Sequence, residues 1–194
     1  MDYLTYHIKS SEMMDIDPSN DCLVYIADRF ELTLEQRYWI AFLYSTCYCG
    51  PTVFYMYNEF PDFENVNIGR MQRWWIRNKD KTIFQTDRLK IKTMNKFVET
   101  YASYSNLIGN KLQSQYFSNL ETGNHVFNYL NAYKEFGQVR NIGRFTLFIY
   151  LEMINLLTDF KCKPDTIDWK YADNCRIGLN MHLGRNDNLP YDVL

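Results

Sequence analysis

Phe136-Gly137-Gln138-Val139-Arg140-Asn141-Ile142-Gly143-Arg144-Phe145-Thr146 is the stretch on which the fold turns. Upstream of it, Val126, Phe127, Leu130 and Tyr133 recur at helical spacing between Asn124 and Phe136. Downstream, Phe145 to Leu157 reads as a very apolar helix within 144–158. The quoted residues are therefore a short connection between two helices, with Gly137 stopping the first. A turn ending in Ile142-Gly143 leaves backbone N–H groups of the second helix's first turn pointing outward, where the helix dipole also favours an anion. Arg140 and Arg144 flank that position. An αα-hairpin in which the glycine merely turns the chain would have the same pattern.

Working outward, every further periodic stretch is helical. Thr33-Leu34-Glu35-Gln36 has the form of a capping box, and the helix it opens runs through Tyr38, Trp39, Phe42 and Leu43 to Gly50. Pro51 suits the first turn of a second helix, Val53 to Phe60, that ends at Pro61-Asp62. Asn67 to Lys79 sets Ile68, Met71, Trp74 and Trp75 on one side and Arg70, Arg73 and Arg77 on another. Lys92 to Ile108 stops at Gly109, Asn110 to Leu120 follows, and Asp173 to Leu183 closes the set. No stretch alternates as a strand, so the class is all-α. The chain reads as one helical domain over 1–194, with 1–30 a helical N-terminal extension and the hairpin near 137–144.

The 194 residues, 46% of them hydrophobic, suffice for a core without disulfide or metal staples. Five cysteines with no CxxC pair and no paired histidine spacing argue against a zinc ribbon or disulfide scaffold, and no metal ligand set is expected. His7 and His125 have no evident partners. Residues 38–58 carry no charge, yet Gly50-Pro51 splits them and hydroxyls dilute them, so they read as two buried helices of a soluble cytoplasmic protein without a membrane partner. Aromatics make up 17% of the chain; most should pack the interior, and the rest could stack on bases.

Charge is unevenly spread. Residues 1–66 hold three bases against eleven acids, whereas residues 70–96 hold nine bases against two acids. A net charge of -2 excludes indiscriminate polycation binding, so any affinity for nucleic acid must be local. Arg70, Arg73, Arg77, Lys90 and Lys92, with Trp74 and Trp75 interleaved, combine phosphate-neutralising cations with flat rings, as nucleic-acid binders do. A solvated helix face with the tryptophans in the core is the plainer alternative. Near the carboxyl end, Asp173, Arg176 and Asn180 recur at i, i+3, i+7 and share a helix face. That carboxylate could act as a base or electrostatic stabiliser, or simply cap its helix.

The turn at 137–144 resembles the hairpin of helix-hairpin-helix DNA-binding proteins, with Asn141 in place of the first glycine of the usual Gly-x-Gly. A hairpin followed by a polar, Asp-containing segment and a further helix is similar to the helical DNA glycosylase superfamily. More narrowly, Phe84-x-x-Asp87-Arg88, then Asn141-x-Gly143-Arg144-Phe145, then Asn174-x-Arg176-x-Gly178-Leu179 resemble the phage amino acid:DNA transferases, also called α-glutamyl/putrescinyl thymine pyrophosphorylases. The resemblance spans roughly residues 30–190. It implies a glycosylase-like helical bundle that replaces the phosphate or pyrophosphate of an activated 5-hydroxymethyl pyrimidine in DNA with an amino acid or polyamine. It also implies that Asp173 and Asp87 are the catalytic carboxylates, with Asp165 and Asp168 as competitors. Arg88 and Arg176 would hold phosphate, while Arg140, Asn141, Gly143 and Arg144 would grip the DNA backbone. No cofactor is demanded, and Mg²⁺ on a pyrophosphate is compatible. A lyase-type repair enzyme fits less well, since no four-Cys loop follows the hairpin and no lysine stands just after Gly143. A non-catalytic phage DNA-binding or host-interaction protein and a base-excision glycosylase remain the alternatives.

Overall fold

A computed structural model describes residues 18–84, 91–165 and 173–184. Among these the chain forms nine α-helices, two short 3-10 turns and no strand: α1 Pro18–Arg29, α2 Leu34–Cys47, α3 Gly50–Glu59, α4 Ile68–Asn78, α5 Met94–Ile108, α6 Gln113–Ser118, α7 His125–Phe136, α8 Arg144–Leu157 and α9 Asp173–His182. The fold is all-α, as the periodicity predicts. The chain divides into two compact units, Met1–Lys163 and Pro164–Leu194.

In the first unit α2 is the central element. Every residue from Tyr38 to Cys47 is buried, so the helix is enclosed all round rather than along one stripe. It packs on α3, α6 and α8, and α8 in turn packs on α1 and α7. The Thr33 capping box forms as its sequence predicts: Gln36 N–H donates to Thr33 Oγ1 at 3.4 Å, and Thr33 N–H donates to Gln36 Oε1 at 2.9 Å. The helix stops at Cys47 rather than at Gly50. Tyr48 adopts a left-handed φ of 51°, and Gly50-Pro51 already opens α3, where proline's missing N–H costs nothing.

The aromatic residues mostly build this core. Phe42 stacks on Tyr104 at 4.3 Å, and Phe117 stacks on Phe136 at 4.9 Å. Their hydroxyls are satisfied by a buried relay: Tyr150 donates to Tyr104 at 2.8 Å, Tyr104 to Gln113 Oε1 at 2.8 Å, and Gln113 Nε2 to the Glu35 carbonyl at 3.2 Å. Burial pushes both tyrosine hydroxyls well above their ordinary range. It also pushes the Cys47 and Cys162 thiols up to about 12, which makes them packing residues rather than nucleophiles.

Two hydrogen bonds fix the segment between α3 and α5. Trp39 Nε1 donates to the Phe60 carbonyl at 2.7 Å, and Tyr101 Oη donates to the Phe63 carbonyl at 2.8 Å. With the chain pinned there, α4 starts at an Asn67 cap that accepts from Arg70 N–H at 2.9 Å, and it lies along α5.

Candidate nucleic-acid interface

Helix α4 divides its circumference by residue type. Met71 is fully buried, and Trp74 packs against Tyr55 at 5.1 Å and Phe60 at 5.7 Å. Asn78 locks the far end, accepting from Tyr55 Oη at 2.6 Å and donating to the Trp74 carbonyl at 2.9 Å. Trp74 is therefore engaged in packing. Trp75, also half-buried, touches Phe84 edge-on at 5.2 Å.

The three arginines of α4 differ in their freedom. Arg70 pairs with Glu59 at 2.6 Å and lies over the Phe60 ring at 5.5 Å. Arg73 and Arg77 are exposed and make no ion pair among the described residues. Lys92, Lys96 and Arg140 are exposed as well. Asp87, Arg88 and Lys90 lie outside the described residues.

The connection between α7 and α8 docks on α5. Arg140 N–H donates to Ser103 Oγ at 3.0 Å, and Asn141 Nδ2 donates to the Lys96 carbonyl at 3.3 Å, Thr100 Oγ1 at 3.3 Å and Glu99 Oε2 at 3.4 Å. Asn141 sits at φ 61°, in the left-handed region that asparagine tolerates better than most residues. It thus supplies a glycine-like backbone and, unlike glycine, a side chain that ties the turn down. Gly143 is the extended N-cap of α8 at φ -102°, with no side-chain cap of its own, and Arg144 is the helix's first residue. The turn and the basic segment, 45 residues apart at Asn141 and Lys96, thereby meet on one helix.

Between α4 and the start of α5 lies a cleft of about 330 Å³ lined by Gln72, Trp75, Ile76, Thr93, Met94 and Asn95. No carboxylate is among these residues. The sequence pattern singles out only Trp75 of the six. The others are invisible to it because an isolated amide or an isoleucine has no signature until two helices are brought together. A second cavity of about 150 Å³, at the start of α2, is lined by Glu35, Asp62 and Glu64 among others.

Asp173 is the first residue of α9 and Arg176 lies one turn on, both in the second compact unit. Asp165 is exposed, and Asp168 is outside the described residues. Among the described residues no cluster of histidine, cysteine and carboxylate side chains could hold a metal ion. No helix among them is long and apolar enough to cross a membrane.

The class defined by these features is an all-α protein presenting exposed cations, a cleft with Trp75 in its wall and a helix-to-helix turn around a single helix. The family model for amino acid:DNA transferases matches residues 11–186, and the chain belongs to that family. Membership implies a transferase whose substrates are DNA and an amino acid. Comparison with curated proteins gives no match, and neither does comparison with solved structures.

Proposed function

We propose that the protein joins an amino acid or polyamine to a 5-hydroxymethyl pyrimidine of DNA that already carries a phosphate or pyrophosphate. The amine lone pair attacks the exocyclic methylene carbon, so that a C–N bond forms as the C–O bond breaks. The electron pair of the broken bond leaves with the phosphate or pyrophosphate, and the ammonium proton passes to a carboxylate. In this reading Asp173 takes that proton, with Asp87 as the second carboxylate, and Arg88 and Arg176 hold the departing anion. Residues 137–143 act as a helix-hairpin-helix turn on the DNA backbone, together with Arg73, Arg77, Arg140 and Arg144. The observation that carries the DNA side is the convergence of the turn and the basic segment on α5, through the Asn141 side chain and the Lys96 carbonyl.

Incubation with DNA containing phosphorylated or pyrophosphorylated 5-hydroxymethyluracil and an amine mixture, followed by mass spectrometry of the nucleosides, tests it. A new base mass is expected. A released base would instead indicate excision, and unchanged nucleosides would indicate binding alone. Asp173→Asn should abolish product with DNA affinity nearly intact, as for a group that matters chiefly in the transition state. Asparagine caps a helix as well as aspartate does, so near wild-type turnover would reduce Asp173 to a cap and turn attention to Asp87.

A further inference from the structure

We infer that the cleft between α4 and α5 receives a single pyrimidine base turned out of the DNA stack; this rests on the DNA reading above and specifies where on that face the base goes. The cleft joins two kinds of wall. Trp75, Ile76 and Met94 give flat or apolar surface, while Gln72, Thr93 and Asn95 bring groups that both donate and accept hydrogen bonds. A pyrimidine has the same division, with apolar faces and an edge of mixed donors and acceptors, and enzymes that act on an extruded base read that edge with such groups. Ile76 is 71% exposed although it stands between Arg73 and Arg77, which hold no ion pair among the described residues. A large apolar side chain on so cationic a surface gains a partner when an uncharged ring covers it.

The surroundings select a base carried on a polyanion. Arg73 and Arg77 flank Ile76 on α4, and on α5 Lys96 directly follows Asn95 of the cleft. Cations thus stand on both walls, able to neutralise the phosphates on either side of an extruded nucleotide, and none of the described residues of the lining is a carboxylate. The Lys96 carbonyl is also the group held by Asn141, so the turn that reaches for the backbone and the cleft that would take the base adjoin the same first turn of α5.

The test compares two short duplexes that differ by one base. In the first a thymine faces an abasic site and is cheaply extruded; in the second that thymine is abasic too. The full chain should bind the first about tenfold more tightly, the scale of one stacked base. Ile76→Ala, which removes the apolar surface the ring would cover, and Asn95→Ala, which removes an edge partner, should each lower the ratio of the two affinities several-fold. Equal affinity of the wild-type chain for both duplexes, or a ratio unchanged in both variants, would overturn the cleft assignment alone. Failure to bind either duplex would overturn the DNA reading and the cleft with it.

Discussion

Two concave regions of the first unit carry opposite charge, and they differ in what the charge is for. At the start of α2, Glu35 commits both carboxylate oxygens to the fold: Oε2 accepts from Gln113 N–H at 2.8 Å and Gln113 Nε2 at 3.4 Å, and Oε1 accepts from Ser114 N–H at 2.9 Å. It caps α6 from another helix, satisfying N–H groups that α6 itself cannot. Along α4, by contrast, Arg73 and Arg77 hold no ion pair among the described residues. Charge density alone would rank both regions as sites. The partners already present separate a carboxylate that builds the protein from exposed arginines that hold no ion pair among the described residues.

The largest effect expected from that contrast is on stability. Glu35→Ala removes an anion that serves three donors, two of them backbone, and should lower the unfolding free energy by about 3 kcal/mol, read from urea denaturation. A loss below about 1 kcal/mol would return Glu35 to the pool of free site residues. The paired substitution Arg73→Ala/Arg77→Ala should leave stability within about 0.5 kcal/mol of wild type. The same pair should flatten the plot of log affinity for duplex DNA against log salt by about two units. An unchanged slope would move the DNA path off α4.

Much of the fold is legible in the sequence because burial there is periodic and capped. Asn67 and Asn124 sit as N-caps where the pattern puts a helix start, Thr93 caps α5 one residue after the Lys92 at which the pattern starts it, and Gly109 ends α5 at φ 67°. The short α6 begins at Gln113, although the pattern from Asn110 reads as helical. Its start is set by Glu35, 78 residues earlier, and no local signal reports a distant cap. The site is legible only in part. Clustered arginines stand out, but which of them is already paired depends on Glu59 and Phe60 of a neighbouring helix end. Asn141 in place of glycine looks like a departure from the hairpin pattern until its φ and its three hydrogen bonds explain the exchange.

That residue gives a finer test of the comparison. Asn141→Val forces a β-branched side chain into the left-handed region and should cost about 1–2 kcal/mol more than Asn141→Gly, which keeps the backbone and loses only the ties to α5. Equal stability of the two variants would mean that the turn relaxes and that its shape is not what matters. The smallest effect is expected in the core. Burial raises the folded-state thiols of Cys47 and Cys162 to about 12, so at pH 8 they stay protonated and should resist alkylation in the native protein, while exposed Cys22 reacts. Labelling of Cys47 or Cys162 at rates like that of Cys22 would show that the core opens.

Hydrogen exchange with and without duplex DNA tests the central claim most directly, because it reads both regions in one experiment. DNA should slow exchange together in α4, in the first turn of α5 and across residues 137–143, and leave residues 61–65 and the start of α6 unchanged. Protection confined to the carboxylate-lined region, or protection of the turn without α4 and α5, would contradict a single DNA face assembled on α5.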